Sequence, residues 1–317
     1  VAKTRCLSTD NLIASVKRRA MLPSTQVTFK EEDFLAFANE EMDMGLVPHV
    51  LSFHEDYLLD TVSLELEGDK LRYKIPHRAI GNKVRDVRFR DANGNLYEMT
   101  RVQKEDEMYF QYNSAGSGPT TLRTFMVEAD EIVMPQGTLP GNIGFLEIVY
   151  YLRPNEIVSE DRVCRITSID TVNKKVTVDK FPSVFTGETI FDITSGKSPY
   201  KLVVMDVEPT TVANETDLFF TFTELPKNLN IGDVIALSEE TAIPQVPIEL
   251  HSMLAQRIAI RCLEALGDSQ GLQNAMTKLQ EMEYKTGSVI DDRVEGSPKK
   301  IVNFHSFLRN QRKWNRR

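Results

Sequence analysis

The chain has 317 residues, 41% hydrophobic and 26% charged, with a formal net charge of −8. That length suits one large core or two modest ones, and no apolar run approaches the ~20 residues a helix needs to cross a bilayer, which excludes a helical membrane span. Three widely spaced cysteines, Cys6, Cys164 and Cys262, form no Cys-x-x-Cys pair, which argues against a disulfide framework or a zinc site and for reduced thiols made in a cytosol.

The first segment reads as helical. Ser8 or Thr9 can cap a helix whose apolar positions Leu12, Ile13, Val16 and Ala20 recur at helical spacing. Lys17, Arg18 and Arg19 suit the negative end of its dipole, and Pro23 stops it. From Val1 to Arg19 the chain is polar and basic, without the apolar run of a secretory signal. Thr28 and Glu31 fit a capping box opening a second helix with Phe34, Leu35, Phe37, Ala38 and Met42 on its apolar face. Pro48 is expected to interrupt or restart that run.

From about Thr61 the period changes to two. Val62, Leu64 and Leu66 alternate with polar residues, as do Leu71, Tyr73 and Ile75, and Asn93-Gly94 marks a hairpin after Val87 and Phe89. Further strands are predicted over 122–127, 145–152, 163–169, 176–178, 189–193, 202–207, 218–222 and 234–237. No helical period interleaves them, so the sheets should be mostly antiparallel. Beyond Pro244 and Pro247 helix returns: Leu250, Leu254, Ile258, Cys262 and Leu266 form one stripe. Residues 267–271 form a turn, and Leu272, Met276, Leu279 and Met282 line a last helix in which Glu281 can pair with Lys285. The expected fold is α+β. Terminal helices (1–60 and 246–296) form one bundle, a β-rich domain (61–245) is inserted between them, and an extended basic arm (297–317) follows.

No catalytic constellation emerges, and an enzyme is not expected. Ser195-Gly196-Lys197-Ser198 lacks the upstream glycine and following helix of a phosphate loop, and a polar hairpin loop explains it. Ser114–Gly118 lacks the order of a nucleophile elbow. Asp91–Asn95 lacks the downstream glutamate of a calcium loop. His49 and His54 are five apart, not at the four-residue spacing of a helical metal pair. No metal or cofactor is expected.

Charge is unevenly spread. Residues 1–30 carry six cations against Asp10 (+5), residues 299–317 carry seven and no acid (+7), and subtracting both from −8 leaves −20 for 31–298. The basic end also holds the chain's one tryptophan. Phe307, Leu308, Arg309, Arg312, Lys313, Trp314, Arg316 and Arg317 therefore read as a partner-docking arm, with apolar anchors among cations. Protein docking is favoured over nucleic acid, because the acidic remainder repels phosphates.

Three stretches carry a family resemblance. Leu7–Ile13 leads into Val16-Lys17-Arg18-Arg19 and Pro23; Tyr73-Lys74-Ile75-Pro76-His77-Arg78-Ala79-Ile80-Gly81 follows; and Leu254–Arg257, Glu264–Gly267 and Arg293–Pro298 close the chain. Together they resemble the head-to-tail connector (adaptor) proteins at the neck of tailed double-stranded DNA bacteriophages. The resemblance implies a homo-oligomeric ring, a 12-mer, below the portal protein, with a further neck or tail protein beyond it. Double-stranded DNA would pass transiently through the lumen. It places the chain in the virion, assembled in the host bacterial cytoplasm, with no membrane partner. Its large β segment departs from a minimal adaptor. The competing expectation is a β-rich collar or tail module that attaches fibres or recognises a host surface, with Phe219, Phe220 and Phe222 partly exposed.

Overall fold

The computed structural model describes residues 8–23, 28–67, 70–104, 124–134, 144–186, 189–198, 202–212 and 218–290. Helix α1 (Thr9–Arg19) ends in its three cations. Ser8 is its N-cap residue but accepts from Asn11 Nδ2 at 2.9 Å and leaves the helix amides uncapped. Thr9 is buried, its hydroxyl within 2.7 Å of the Val158 carbonyl and 2.9 Å of the Ala242 carbonyl. A residue read as a possible cap thus ties the start of the chain to the end of the β region.

Helix α2 (Glu31–Glu41) opens differently from the Thr28–Glu31 reading. Lys30 is the N-cap, and its amide donates to Asp33 Oδ2 at 2.7 Å. The helical path does not break at Pro48. It widens into a π turn (Met42–Leu46) and continues as α3 (Val47–Phe53). Proline lacks the N–H for the carbonyl four residues back, and its ring crowds that carbonyl; the wider turn makes room. Gly45 lies in this turn, where a Cβ would come within 2.7 Å of Arg257 Nη1 and 2.9 Å of Glu41 Oε2 and would push on that ion pair.

Helix α4 (Ile248–Leu266) stops at Gly267, whose φ of 71° is the left-handed conformation glycine adopts cheaply. The predicted five-residue turn shrinks to Gly267-Asp268: Asp268 Oδ1 accepts the Gly271 amide at 3.0 Å, and α5 (Ser269–Ile290) begins at once. Leu12, Ile13 and Val16 of α1, Phe34 and Ala38 of α2, Val50 of α3, and Leu250, Leu254, Ile258 and Cys262 of α4 share one core. Full burial of each such aliphatic or aromatic side chain contributes about 1.5–3 kcal/mol. From α5, Ala275 is buried in this core, with Leu272, Leu279 and Met282 packed at its edge. Met276, predicted to face inwards, is 48% exposed.

Between the helices lie seventeen described strands, nearly all antiparallel, so the molecule is mixed α+β. Strands β1 (Leu59–Glu65), β2 (Arg72–Lys74), β3 (Ala79–Asp91), β4 (Leu96–Glu98), β5 (Thr100–Arg101), β6 (Thr124–Glu128), β7 (Glu131–Val133) and β8 (Gly144–Leu152) make two four-stranded sheets. Their orders are β1-β8-β3-β4 and β2-β7-β6-β5. Val87 and Phe89 of one sheet share a core with Tyr73, Phe125 and Ile132 of the other. The Asn93-Gly94 hairpin is longer than a two-residue turn: Asp91 Oδ1 accepts the amides of Asn93 (2.9 Å) and Asn95 (2.8 Å). Those bonds account for the oxygen-rich loop without a cation.

A second β unit contains β10 (Cys164–Asp170), β11 (Lys175–Val178), β12 (Phe191–Thr194), β13 (Leu202–Val207), β14 (Thr211–Val212), β15 (Phe219–Thr221) and β16 (Val234–Leu237). Their order is β13-β12-β16-β10-β11-β15-β14. Phe191 on β12 and Phe220 on β15 lie four steps apart in that order, yet their ring centroids are 5.2 Å apart. The sheet therefore curls around its own aromatic core. Two short strands, β9 (Glu156–Ile157) and β17 (Glu240–Thr241), pair in parallel at the junction with the helices. Among the described residues no helix is long and apolar enough to cross a membrane.

Candidate functional site

The residues predicted to dock a partner, Phe307, Leu308, Arg309, Arg312, Lys313, Trp314, Arg316 and Arg317, lie outside the described residues, as does the Ser114–Gly118 loop. Among the described residues no group of three His, Cys, Asp or Glu side chains is placed to hold a metal ion. Ser195–Ser198 follows β12 as a polar loop; the Gly196 amide donates to buried Asp233 at 3.0 Å and faces no open phosphate site. Cys164 and Cys262 are buried, and burial raises both thiol pKa values, Cys262 to about 11. Phe220 and Phe222 are buried core residues, 0% and 5% exposed. Phe219 is partly exposed, so one of the three rings expected on a fibre- or host-binding surface lies there and two do not.

Sequence reasoning missed the most polar structure in the interior. Arg78, in the turn between β2 and β3, is 4% exposed and reaches into the second β unit. Its Nη1 and Nη2 donate to the two oxygens of Asp192 at 2.6 and 3.1 Å, and Nη2 also lies 2.6 Å from Asp206 Oδ1. Asp192 is fully buried on β12 and accepts three further donors: Asn155 Nδ2 (2.6 Å) and the amides of Asp206 (2.9 Å) and Glu239 (3.0 Å). Burial alone lowers the pKa of Arg78, but the hydrogen bonds and charge of Asp192, together with the charge of Asp206, outweigh it and leave the pKa raised. A bidentate guanidinium–carboxylate pair fixes both distance and orientation, so Arg78 locks one β unit to the other. Its Nε has no hydrogen-bond partner; Glu239 Oε1 is 4.0 Å away.

Two clefts open beside this node. One, about 340 Å³, is lined by Arg78, Arg153, Asn155 and Glu239 on the β side and by Asn39, Met42 and Asp43 on the helical side. Burial raises the pKa of Asp43, opposed by the charge of Arg153. The other, about 450 Å³, runs between the first turns of α2 and the chain around β9. Its floor is apolar, with Leu35, Ile157 and Val158, and its rim carries Glu31, Glu32, Glu156 and Asp161. Arg162, the one cation lining it, is paired with Glu240. Asn39 separates the clefts: its side chain accepts the Ile157 amide at 2.7 Å and donates to the Ile157 carbonyl at 3.1 Å, sealing the edge of β9 as a strand would.

The acidity is continuous along the helix. Residues 31–53 hold Glu31, Glu32, Asp33, Glu40, Glu41 and Asp43 and no Lys or Arg. Glu41 is partly neutralised by Arg261 (2.6 Å) and Arg257 (3.3 Å) of α4, whereas the carboxylates at the α2 start face solvent. A run without a single Lys or Arg is a sequence signal that net charge alone conceals. The sequence matches no protein-family model and shows no significant similarity to a curated protein.

Proposed function

We propose that the chain is a non-enzymatic structural subunit of a tailed-phage neck. It assembles with copies of itself into a connector ring below the portal, through which double-stranded DNA passes. The observation that carries the reading is the shared core of α1 and α4, which packs together helices from either side of the β region and leaves the β units as an insertion. On this reading the helices form one bundle, the ring-building part, and the basic arm extends from it to clasp the portal through the docking residues from Phe307 to Arg317.

Electrostatics support the same assignment. With −20 over residues 31–298, a lumen lined by this surface repels phosphates, so DNA slides without the counterion release that makes binding tight. The resemblance at Tyr73–Gly81 supports it too, because that motif contains Arg78, the residue on which the two β units are locked. The test is removal of residues 300–317. The truncated subunit is expected to keep its circular dichroism spectrum and to lose attachment to the portal in co-sedimentation. Normal attachment would overturn the docking role.

A further inference from the structure

We infer that the acidic cleft between α2 and β9 receives the stretch Lys299–Phe304 of a neighbouring copy. The inference rests on the proposed side-by-side assembly and adds the contact that would hold it together. Lys299-Lys300-Ile301-Val302-Asn303-Phe304 places two cations next to three apolar residues. The cleft offers the complement: four carboxylates on the rim, an apolar floor, and one arginine already engaged by Glu240. Asp161 is partly countered by Lys180 at 3.9 Å, so the charge open to a partner is chiefly that of Glu31 and Glu32 on the exposed start of α2. The portal-docking residues begin at Phe307, so this stretch is not required for that contact.

The occupant is assigned to a second copy because the proposed assembly sets copies side by side. Helix α5 ends beside the far end of the α2–α3 run: a Cβ on Gly287 would lie 2.9 Å from the Phe53 ring. The cleft lies along the opposite half, from Glu31 to Asn39. At about 1.5 Å per residue Phe53 is about 21 Å from Asn39 and about 27 Å from Leu35 if the run is straight. From Ile290 to Lys299 nine residues reach at most about 30 Å when taut. An extended chain therefore reaches its own cleft as well, and a link formed within one chain is the outcome that tells the two apart.

The test uses the full chain carrying Cys6→Ser; Cys164 and Cys262 are buried and stay in place. One version carries Ala36→Cys in the cleft wall and the other Asn303→Cys in the stretch. The two are mixed and oxidised with diamide, and disulfide-linked pairs are identified by mass. The expected result is a linked pair containing one chain of each kind. Glu31→Lys with Glu32→Lys should lower its yield roughly tenfold, and Lys299→Glu with Lys300→Glu in the other chain should restore it. Circular dichroism of each variant confirms that it folds. Absence of the linked pair, while wild-type protein sediments as an assembly, overturns the cleft assignment and leaves the assembly standing. A link formed within one chain that carries both cysteines overturns the neighbour. Wild-type protein sedimenting as a single copy overturns both readings.

Discussion

Arg78→Ala is expected to lower folding stability by about 3–5 kcal/mol, because it strands the fully buried Asp192 carboxylate without its counter-charge. The urea midpoint should fall accordingly in equilibrium unfolding followed by circular dichroism. Arg78→Lys should recover only part of the loss. One ammonium cannot reproduce two parallel bonds to Asp192 and a third to Asp206. The neighbouring His77→Ala serves as the contrast: His77 is 72% exposed, and its contact with Glu239 at 2.8 Å sits in solvent, so a change within about 0.5 kcal/mol is expected. A small effect at Arg78 would mean that the node does not lock the two β units.

Phe220→Ala is expected to cost about 3–5 kcal/mol by opening a cavity in the curled sheet. The Phe220 ring lies 5.2 Å from Phe191, 5.8 Å from Phe181 and 6.1 Å from Phe185, centroid to centroid, so its removal unpacks three partners at once. Phe219, one residue away, points to the other face, where Lys175 Nζ sits 3.6 Å from its ring centroid. Phe219→Ala should cost only about 0.5–1 kcal/mol, the scale of an exposed cation–π contact. The difference between the two midpoints separates an aromatic core from an aromatic binding strip. Equal and small effects would favour the strip, and with it the fibre- or host-binding reading.

Much of the fold was legible because long elements repeat their pattern. The α4 stripe Leu250, Leu254, Ile258 and Cys262 is buried as its spacing predicts, although Leu266 at the helix end is 43% exposed, and β8, β13 and β16 fall where alternation or apolar runs place them. Strands β5, β9, β14 and β17 have two residues each, too few for any period to show. In α5 the inward face is Leu272, Ala275, Leu279 and Met282, at three- and four-residue steps; Met276 lies one position to the side of that face and is 48% exposed. The α2 cap was misassigned because Asp33 competes with the nearby Thr28–Glu31 pair for the same role, and sequence does not show which register the chain takes.

The polar interior was harder to read. Arg78 stands in a turn next to Pro76, where an arginine ordinarily points to solvent, and its partners Asn155, Asp192, Asp206 and Ser238 come from four separate places in the chain. No local spacing joins them. One trace was available: Asp192 lies between Phe191 and Ile193 inside a strand buried at every position, where a carboxylate requires a counter-charge. The cleft was similarly hidden, because its rim is built from α2 and from residues more than a hundred positions later.

On the proposed function, copies of this chain close into a ring. Electron micrographs of the purified full-length protein, averaged by class, test it most directly. Closed rings with rotational symmetry, twelve-fold on the family resemblance, with the helices at the subunit contacts, are the expected result. Isolated single copies at every concentration, and one copy per particle in mature virions, would contradict it.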